Sequence, residues 1–325
     1  MLKPFKLSNS KANTWRRCPK KFEFAYVKEL EPKRKGLPLH RGDWLHQLLM
    51  THYDGEDWHV LQKKLTQEFD KLFDEEKEEY GDLPFQTKRI FTSYLQHYKQ
   101  EDAGLRVVDS EIDEEVTLPN GNTFHFIIDL LIEETDGGLW LWDHKTVKEF
   151  MPQDFMLIDS QLARYFWAAE KFGIGPVRGV MFNELITKPP TLPKLTPKTG
   201  ELERRSNIVC DFYSYLAEVK RQGFDPKDYR EILLHLKRQT DRWFRRTPLP
   251  RDKALTKRMM QELLWTAEEM QHAIDTQQFS RTAQKSCTWD CEFLNLCVTE
   301  LMGGDISDIV KLQFQKKTPR KKGQE

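Results

Sequence analysis

The sequence predicts an α+β fold with a central mixed sheet that is flanked by helices. Three observations support this prediction. Residues 107–146 alternate in polarity as strands do, and two turn motifs interrupt them. Apolar residues at helical spacing occupy most of the chain before this stretch, and again most of the chain after about residue 208. A block of strands between blocks of helices is typical of proteins built around one sheet.

The N-terminal part, residues 1–106, is expected to be helical. Ser8 or Ser10 can cap a first helix, because a serine oxygen accepts a hydrogen bond from a free amide of the first turn. That helix is expected to run through Trp15 and on to Tyr26. Further helices are expected around the leucines that surround His46, over about 57–79 and over about 85–101.

Three strands are predicted next, and their spacing indicates an antiparallel meander. They cover about 107–118, 123–134 and 139–146. The segments Pro119–Asn122 and Thr135–Gly138 separate them, and both have the composition of hairpin turns. Hairpins place consecutive strands side by side, so side chains of the second and third strands can converge.

The rest of the chain is predicted to add one helix and one strand and then to become helical. The expected elements are a helix over 160–171, a strand over 177–185, a proline-rich loop over 187–200, and helices over about 208–222, 226–246 and 257–277. The chain is thus divided into a helical part (1–106), a core (107–186), a second helical part (187–304) and a basic, flexible tail (305–325), which together form one cooperative unit.

Composition and charge restrict the class of protein. The 325 residues are 38% hydrophobic and 31% charged, which is typical of a soluble globular protein. Basic and acidic residues balance at 51 each, so binding of DNA by overall charge alone is disfavoured. No apolar run is long enough to span a membrane, and the first residues lack a secretory signal. We therefore expect a protein of the bacterial cytoplasm or of a phage-infected host cell.

The most informative residues are acids inside two apolar strands. Asp129 lies in the second predicted strand, and Asp143 and Lys145 lie two residues apart in the third, where side chains share a face. A buried carboxylate is costly unless a cation neutralises it, and Mg²⁺ or Mn²⁺ prefers such oxygen ligands. The alternative is an ordinary ion pair between Asp143 and Lys145, and the apolar neighbours and Asp129 weigh against it.

Further motifs accompany these acids in a fixed order. With them, the sequence resembles the RecB-like branch of the PD-(D/E)XK nucleases, which includes CRISPR-associated exonucleases and phage-encoded relatives. The matching segments are Arg41–His46 around an upstream histidine, Asp129, Asp143–Thr146 with the D-x-K-T pattern, and Gln161–Tyr165 with the Q-x-x-x-Y pattern. The resemblance covers about residues 5–300 and implies a restriction-endonuclease-like core.

The resemblance also implies which residues act. The metal ligands would be His46, Asp129, Asp143 and the backbone carbonyl of His144. Catalysis would depend on Asp129, Asp143, Lys145, Gln161 and Tyr165. Gln161 and Tyr165 are four residues apart on a helix and share a face, so they would contact DNA phosphates or support the lysine, or simply pack on the sheet. Glu111 is a weaker candidate for the same site.

The activity implied by the resemblance is metal-dependent cleavage of DNA. We favour an exonuclease that acts on single-stranded DNA or DNA ends in recombination, repair or phage genome processing. A helicase or a recombination protein is a candidate partner. One alternative is a structure-specific endonuclease or an RNA nuclease. Another is a DNA-binding or assembly module that has kept the fold and lost catalysis.

The cysteines suggest a second metal site. Cys287, Cys291 and Cys297 crowd together near the C-terminus, and Cys18 stands alone near the N-terminus. Four thiolates can hold zinc or an iron–sulfur cluster, and their spacing leaves both open. The resemblance implies a 4Fe–4S cluster that joins the two helical parts, with Zn²⁺ as the alternative, although the gap between Cys287 and Cys291 is one residue longer than in the family. Cys210 is expected to be buried.

Two groups of basic residues lie beside aromatic residues, as in paths for single-stranded DNA. Arg16, Arg17 and Lys20 follow Trp15, and Arg242 lies in a basic stretch that is predicted to be helical. Both groups fit solvated helix faces equally well.

Overall fold

A mixed β-sheet occupies the centre of the fold. The structure is a computed structural model that describes residues 5–34, 36–239, 242–250 and 252–317. Within these ranges, six strands form the main sheet and two form a small second sheet. The strands are β1 (Lys6–Ser8), β2 (Leu30–Pro32), β3 (Arg106–Thr117), β4 (Thr123–Glu133), β5 (Leu139–Val147), β6 (Val177–Ile186), β7 (Phe244–Pro250) and β8 (Phe314–Lys316).

The strand pairing confirms the predicted meander and leaves a gap beside β4. β3, β4 and β5 pair antiparallel in sequence order, β6 is parallel to β5, and β7 is antiparallel to β6. Since β3 follows β4 along its whole length, β1 and β5 must share the other edge of β4. β1 pairs there with 123–125 and β5 with 130–133, so residues 126–129 lie between the two pairings.

Helices cover both faces of this sheet. They are α1 (Asn9–Arg17), α2 (Pro19–Phe22), α3 (Leu37–Tyr53), α4 (Trp58–Asp70), α5 (Asp74–Tyr80), α6 (Leu83–Asp102), α7 (Gln153–Ile158), α8 (Ser160–Phe172), α9 (Phe212–Arg221), α10 (Arg230–Lys237), α11 (Lys253–Thr276), α12 (Cys287–Asp290), α13 (Leu294–Leu301) and α14 (Ser307–Gln313). A π-helical turn, Glu23–Val27, and a 3₁₀ turn, Pro226–Tyr229, complete the set. Among the described residues, none of the helices has the length and hydrophobicity to cross a membrane.

Two apolar cores hold the layers together. On one face, α8 and α11 pack against the sheet, with Phe166, Phe182 and Leu263 in the same buried cluster. On the other face, α3 and α6 pack against the sheet, and Leu48 and Tyr94 lie in the buried cluster there. The sheet is therefore covered on both sides, as its apolar strands predict.

The first helix begins as predicted and ends sooner. The Ser8 hydroxyl accepts a hydrogen bond from the amide of Lys11, which caps α1. The helix stops at Cys18, whose backbone is extended (φ −164°, ψ 112°). Pro19 explains the break, because the residue before a proline is disfavoured in helical conformation. The charged stretch over 57–79 is likewise two helices, α4 and α5, and not one.

The helix predicted over 226–246 is wrong in its second half. α10 ends at Lys237, and Phe244–Pro250 form β7, which pairs with β6 at the edge of the main sheet. Pro248 and Pro250 are compatible with an edge strand, because one side of such a strand needs no amide donors. Phe244 is buried against Tyr94 of α6, and this burial favours the strand conformation over a helix.

The end of the chain corrects another prediction. Residues 307–316 were expected to belong to a flexible basic tail, but they form α14 and β8, and β8 pairs antiparallel with β2. Residues 318–325 lie outside the described residues. The short strands β1, β2 and β8 were not predicted, because three residues are too few to show a period.

Candidate active site

The acids of the candidate site lie where β4 and β5 separate. The last pair between these strands is Leu130 with Trp142, whereas β5 stays paired with β6 as far as Val147. Asp129 and Asp143 are the next residues beyond that last pair. Backbone groups that the ladder no longer uses are therefore available to side chains at this point.

A chain of hydrogen bonds connects β5 to α8. The ammonium of Lys145 lies 2.9 Å from Oδ1 and 2.8 Å from Oδ2 of Asp143, which is 3% exposed. The side-chain amide of Gln161 donates to Oδ1 of Asp143 at 3.1 Å and to the hydroxyl of Tyr165 at 2.6 Å. The Asp159 carboxylate caps α8 by accepting a hydrogen bond from the backbone amide of Gln161, which fixes the start of this helix. The shared faces of the D-x-K and Q-x-x-x-Y motifs are thus confirmed.

His46 approaches from the opposite helical layer. Its Nε2 atom lies 3.1 Å from the carbonyl oxygen of His144 and 3.6 Å from Oδ2 of Asp129. The amide of His144 donates to the same Asp129 oxygen at 2.6 Å. The predicted histidine, both acids and the predicted backbone carbonyl are therefore brought together.

The Arg41–His46 motif lets α3 approach β5 and joins it to α6 and to the end of β6. The Arg41 guanidinium donates to the carbonyl of Thr187 at 3.1 Å and to Gln86 Oε1 at 2.8 Å. A β-carbon at Gly42 would lie 3.1 Å from the Thr146 hydroxyl, which is closer than most such contacts. The glycine thus lets the helix come near the strand, and His46 follows one turn later.

Burial and neighbouring charges shift the pKa values of the site residues in different directions. Burial raises the pKa of Asp143, although Lys145 opposes that shift. Burial lowers the pKa of Lys145, but Asp143 and Asp129 raise it more, so the net shift is upward and the ammonium stays charged at neutral pH. Burial lowers the pKa of His46, but the Asp129 carboxylate and the hydrogen bond to the His144 carbonyl together outweigh burial, which gives a net rise. Burial raises the pKa of Tyr165 well above its usual value, so this hydroxyl stays neutral.

Glu111 lies near the site with an unusual backbone. It sits between two residue pairs, Ser110 with Leu130 and Ile112 with Ile128, which places it opposite Asp129 in the sheet. Its φ of 44° is in the left-handed region that glutamate seldom adopts. The position agrees with the expectation that Glu111 can reach the site, and its role stays a prediction.

The sequence prediction assigned no role to two polar residues of β6 that adjoin the site. Glu184 is fully buried beside Lys145 in the β5–β6 register, and Arg245 donates to it at 2.6 Å. Asn183 is also fully buried and lies next to His144 in the same register. The available signal was a pair of polar residues inside an otherwise apolar strand, where each needs a partner.

The donor atoms of the site fit a hard divalent cation. Asp129 and Asp143 supply carboxylate oxygens, His144 supplies a carbonyl oxygen, and His46 supplies an imidazole nitrogen. Oδ2 of Asp143 is buried and accepts no hydrogen bond of good geometry, despite its 2.8 Å approach to Lys145. Within the described ranges, no three His, Cys, Asp or Glu side chains already stand together as a metal-binding group. At present Lys145 supplies the positive charge beside Asp143.

The four predicted metal-binding cysteines lie in a separate region that we call the cysteine lobe, residues 18–34 and 282–317. All four thiols are free and partly exposed. Cys291 and Cys297 pack against a small apolar cluster, and the amides of Thr282 and Gln284 approach the sulfurs of Cys18 (3.5 Å) and Cys287 (3.4 Å). Such N–H···S contacts are typical of thiolates that bind metal. Cys210 is buried elsewhere, as expected.

The predicted DNA-contacting cations are engaged with other groups of the protein. Arg16 contacts Glu262 and Thr266, Arg17 contacts Asp290, Lys20 contacts Glu23 and Glu300, and Arg242 contacts Gln239 and the carbonyl of Ile208. Lys20 is also nearly buried. Their role in binding DNA stays a prediction, and any contact with phosphate must compete with these partners.

Comparison with known families agrees with this geometry. The model of the PD-(D/E)XK nuclease superfamily matches residues 6–298, which is most of the chain. No curated protein matches the chain. The matched range contains both acids, the lysine and the histidine that surround the gap beside β4. The chain therefore belongs to the PD-(D/E)XK nuclease superfamily, whose members are metal-dependent phosphodiesterases.

Proposed function

We propose that this chain is a metal-dependent deoxyribonuclease with His46, Asp129, Asp143 and Lys145 in its active site. The observation that carries the proposal is the environment of Asp143. This carboxylate is almost fully buried at a break in the sheet, beside a second acid and against an ammonium. Such a pair of acids is costly for a fold to keep and is suited to holding a cation that acts on phosphodiesters.

Mg²⁺ or Mn²⁺ would be held by Asp129, Asp143, His46 and the carbonyl oxygen of His144. When bound, such a cation lowers the pKa of a water molecule and stabilises negative charge on a phosphate. Lys145 would share the Asp143 carboxylate with such a cation, because its ammonium lies within 2.9 Å of both oxygens.

The remaining side chains of the site would orient neighbouring groups and stabilise charge that develops on the phosphate. Lys145 is charged at neutral pH, so its ammonium can donate a hydrogen bond to a phosphate oxygen on which charge develops. Gln161 lies within 3.4 Å of the Lys145 ammonium and donates to Asp143, which limits where both groups can go. The neutral Tyr165 hydroxyl accepts from Gln161 and keeps its own proton for donation to the substrate.

We also propose that the cysteine lobe holds a 4Fe–4S cluster through Cys18, Cys287, Cys291 and Cys297, with Zn²⁺ as the alternative. The support is chemical, because all four thiols are free and backbone amides lie within 3.5 Å of two of the sulfurs. The role would be structural: the cluster would join α1 and α2 to the C-terminal helices. A brown colour with broad visible absorption would distinguish iron from zinc.

The favoured substrate is single-stranded DNA or a DNA end. α7 lies in the segment between β5 and α8, which carry Asp143, Lys145 and Gln161, and three of its apolar side chains are exposed. Phe155, Leu157 and Ile158 are 50%, 56% and 69% exposed. A group of exposed apolar side chains marks an interaction surface, and unpaired bases present apolar faces that such side chains can contact.

The test is cleavage of end-labelled linear and circular DNA, single- and double-stranded, by anaerobically purified protein with Mn²⁺ or Mg²⁺. We expect linear single strands to be degraded from an end and circular single strands to survive. Asp143→Asn and Lys145→Met should each lower the rate about 10²- to 10³-fold, because each removes charge stabilisation in the transition state.

Matched controls separate chemistry from folding. Asp109→Asn changes an exposed acid of β3, and Lys171→Met changes an exposed lysine at the end of α8, so both should cleave at the wild-type rate. Cleavage of circular DNA would replace the exonuclease with an endonuclease. A folded, metal-supplied wild type that cuts none of these substrates would favour a DNA-binding module that has lost catalysis.

A further inference from the structure

His144 is the residue whose backbone joins the parts of the candidate site. Because β4 and β5 have separated at this point, its amide and carbonyl are free of the ladder between them. The amide donates to Oδ2 of Asp129 at 2.6 Å, and the carbonyl lies 3.1 Å from Nε2 of His46. A small shift of the His144 backbone would therefore move an acid and a histidine together.

The side chain of His144 points away from Asp143 and Lys145, because alternate residues of a strand face opposite sides. It is 2% exposed. Its Nδ1 atom lies 2.7 Å from Nδ2 of Asn183 on β6, and its ring stacks on Tyr53 of α3 with an interplanar angle of 14°. The ring is thus fixed by a hydrogen bond on one side and by an aromatic face on another.

A wider network holds Asn183 in turn. Its amide also donates to the hydroxyl of Tyr94 at 2.8 Å, and that hydroxyl lies 2.8 Å from the hydroxyl of Tyr53. Arg246 of β7 donates to the Tyr94 hydroxyl at 2.7 Å and forms an ion pair with Asp102 at the end of α6. The network therefore connects α3, α6, β6 and β7 to the strand that carries Asp143.

Stability alone is a poor explanation for this network. Nε2 of His144, Oδ1 of Asn183 and Nε of Arg246 are buried and have no hydrogen-bond partner among the described residues. Buried polar atoms without partners cost free energy, and apolar side chains of similar size would fill the space at lower cost. The polar groups instead restrict orientation, because hydrogen bonds fix the orientation of a ring and of the backbone more strictly than apolar contacts do.

We infer that Asn183 and Tyr94 are positioning residues: through the His144 side chain, they set the position of the His144 backbone and hence the arrangement of Asp129 and His46. The inference rests on the proposed metal-dependent nuclease. It adds residues on the opposite face of the sheet that touch neither the cation nor DNA. Their removal should weaken cation binding and turnover and leave DNA binding unchanged.

Two variants test the inference. Asn183→Leu keeps the number and branching of the heavy atoms and removes both hydrogen bonds, and Tyr94→Phe removes only the hydroxyl that Asn183 and Arg246 share. The first measurement is the Kd for Mn²⁺ of DNA-free protein, from the EPR signal of free Mn²⁺. We expect the Kd of Asn183→Leu to rise about 10-fold or more, kcat to fall about 10- to 100-fold and KM for DNA to stay within about twofold. Tyr94→Phe should show smaller changes in the same direction.

Thr87→Val is the matched control. It removes a buried hydroxyl of α6 whose hydrogen bonds stay within that helix, so Mn²⁺ binding and kcat should match wild type. Equal losses in this control would overturn the inference, since they would show a general effect of destabilising α6. A folded Asn183→Leu protein with Mn²⁺ Kd and kcat within about twofold of wild type would overturn it as well.

The remaining outcomes are also decisive. If Asn183→Leu does not fold, Tyr94→Phe decides the inference by the direction of its Kd and kcat changes. A wild type that binds Mn²⁺ and cleaves no DNA would overturn the proposed function, and the Mn²⁺ constants would still decide the inference. A wild type that binds no Mn²⁺ would overturn both.

Discussion

The candidate active site and the cysteine lobe are built in opposite ways. The active site draws its acids and lysine from two neighbouring strands, and a sheet with apolar layers on both faces surrounds them. The cysteine lobe draws Cys18 and Cys297 from near opposite ends of the sequence, and its apolar cluster is small. The thiols of the lobe are partly exposed, whereas Asp143 is almost fully buried.

This difference indicates what each region requires. The sheet and its two cores can fix the active-site geometry before any cation binds, because the positions of the side chains follow from strand register and packing. The cysteine lobe has few apolar contacts of its own, so a bound metal would contribute much of its stability. Removal of metal should therefore leave the first region in place and loosen the second.

The largest effect is expected from Cys18→Ser. A serine hydroxyl is a poor ligand for iron, so the visible absorption should disappear and Tm should fall by about 10 °C or more, because metal binding and folding are coupled. The measurements are iron content, the visible spectrum and thermal unfolding by circular dichroism. Cys210→Ala alters the buried thiol outside the lobe and should keep its iron. A wild type that contains neither iron nor zinc would remove the basis of the comparison.

The next effect is expected from Phe293→Ala. Phe293 is 1% exposed and contacts the rings of Phe24 and Phe314 at centroid distances of 5.6 and 5.3 Å. The cavity should cost about 3–5 kcal/mol, measured by chemical unfolding. Phe124→Ala, in the core of the main sheet, should cost a similar amount. Only Phe293→Ala should also release iron, and equal iron loss in both variants would show that the two regions unfold together.

A smaller effect is expected from the pH dependence of His46. Its pKa in the folded protein is raised from 6.5, chiefly by Asp129 against the effect of burial. The imidazolium therefore stabilises metal-free protein fully below about pH 6.5, and this contribution is lost as the pH rises through the folded pKa. The Tm difference between wild type and His46→Gln should shrink over that window.

Cation binding should show the opposite trend with pH. A nitrogen ligand must be neutral, so the affinity of wild type for Mn²⁺ should rise over the same pH window. In His46→Gln this part of the pH dependence should be absent. A Tm difference between the two proteins that grows with pH would contradict the assignment of the shift to Asp129.

The smallest effect is expected from the ion pair that joins α1 to the cysteine lobe. Arg17 and Asp290 lie 2.6 Å apart, with side chains 37% and 59% exposed. Arg17→Met and Asp290→Asn should each cost under about 1 kcal/mol, because solvent screens exposed pairs. If Arg17 also contacts DNA, only Arg17→Met should weaken DNA binding and lower the salt dependence by about one charge. Equal DNA binding by both variants would exclude that contact.

The parts of the fold that could be predicted are those with local signals. Residues 107–146 contain strand periodicity and hairpin turns, so the meander and the convergence of Asp129, Asp143 and Lys145 followed from the sequence. Gln161 and Tyr165 followed from helical spacing, and the structure places them in contact. The roles of these residues rest on family resemblance and on the experiments above.

The parts that could not be predicted depend on distant partners. In isolation, the sequence of β7 favours a helix. Its strand conformation depends on pairing with β6, on the ion pair of Arg245 with Glu184 and on the ion pair of Arg246 with Asp102. Nothing near Arg246 in the sequence signals those contacts. Tertiary packing overrides local preference in such segments. The hydrogen-bond network around His144 could not be predicted for the same reason, since its other members come from four separate elements.

The pairing of β2 with β8 has a consequence for synthesis of the protein on the ribosome. Glu31 and Gln315, which are joined by a hydrogen bond, are 284 residues apart in the sequence. The first half of the cysteine lobe thus leaves the ribosome long before the second half exists, whereas β3, β4 and β5 can pair as they emerge. Nascent chains should form this meander before Cys297 is synthesised, so insertion of the proposed cluster would have to follow synthesis of the C-terminal helices.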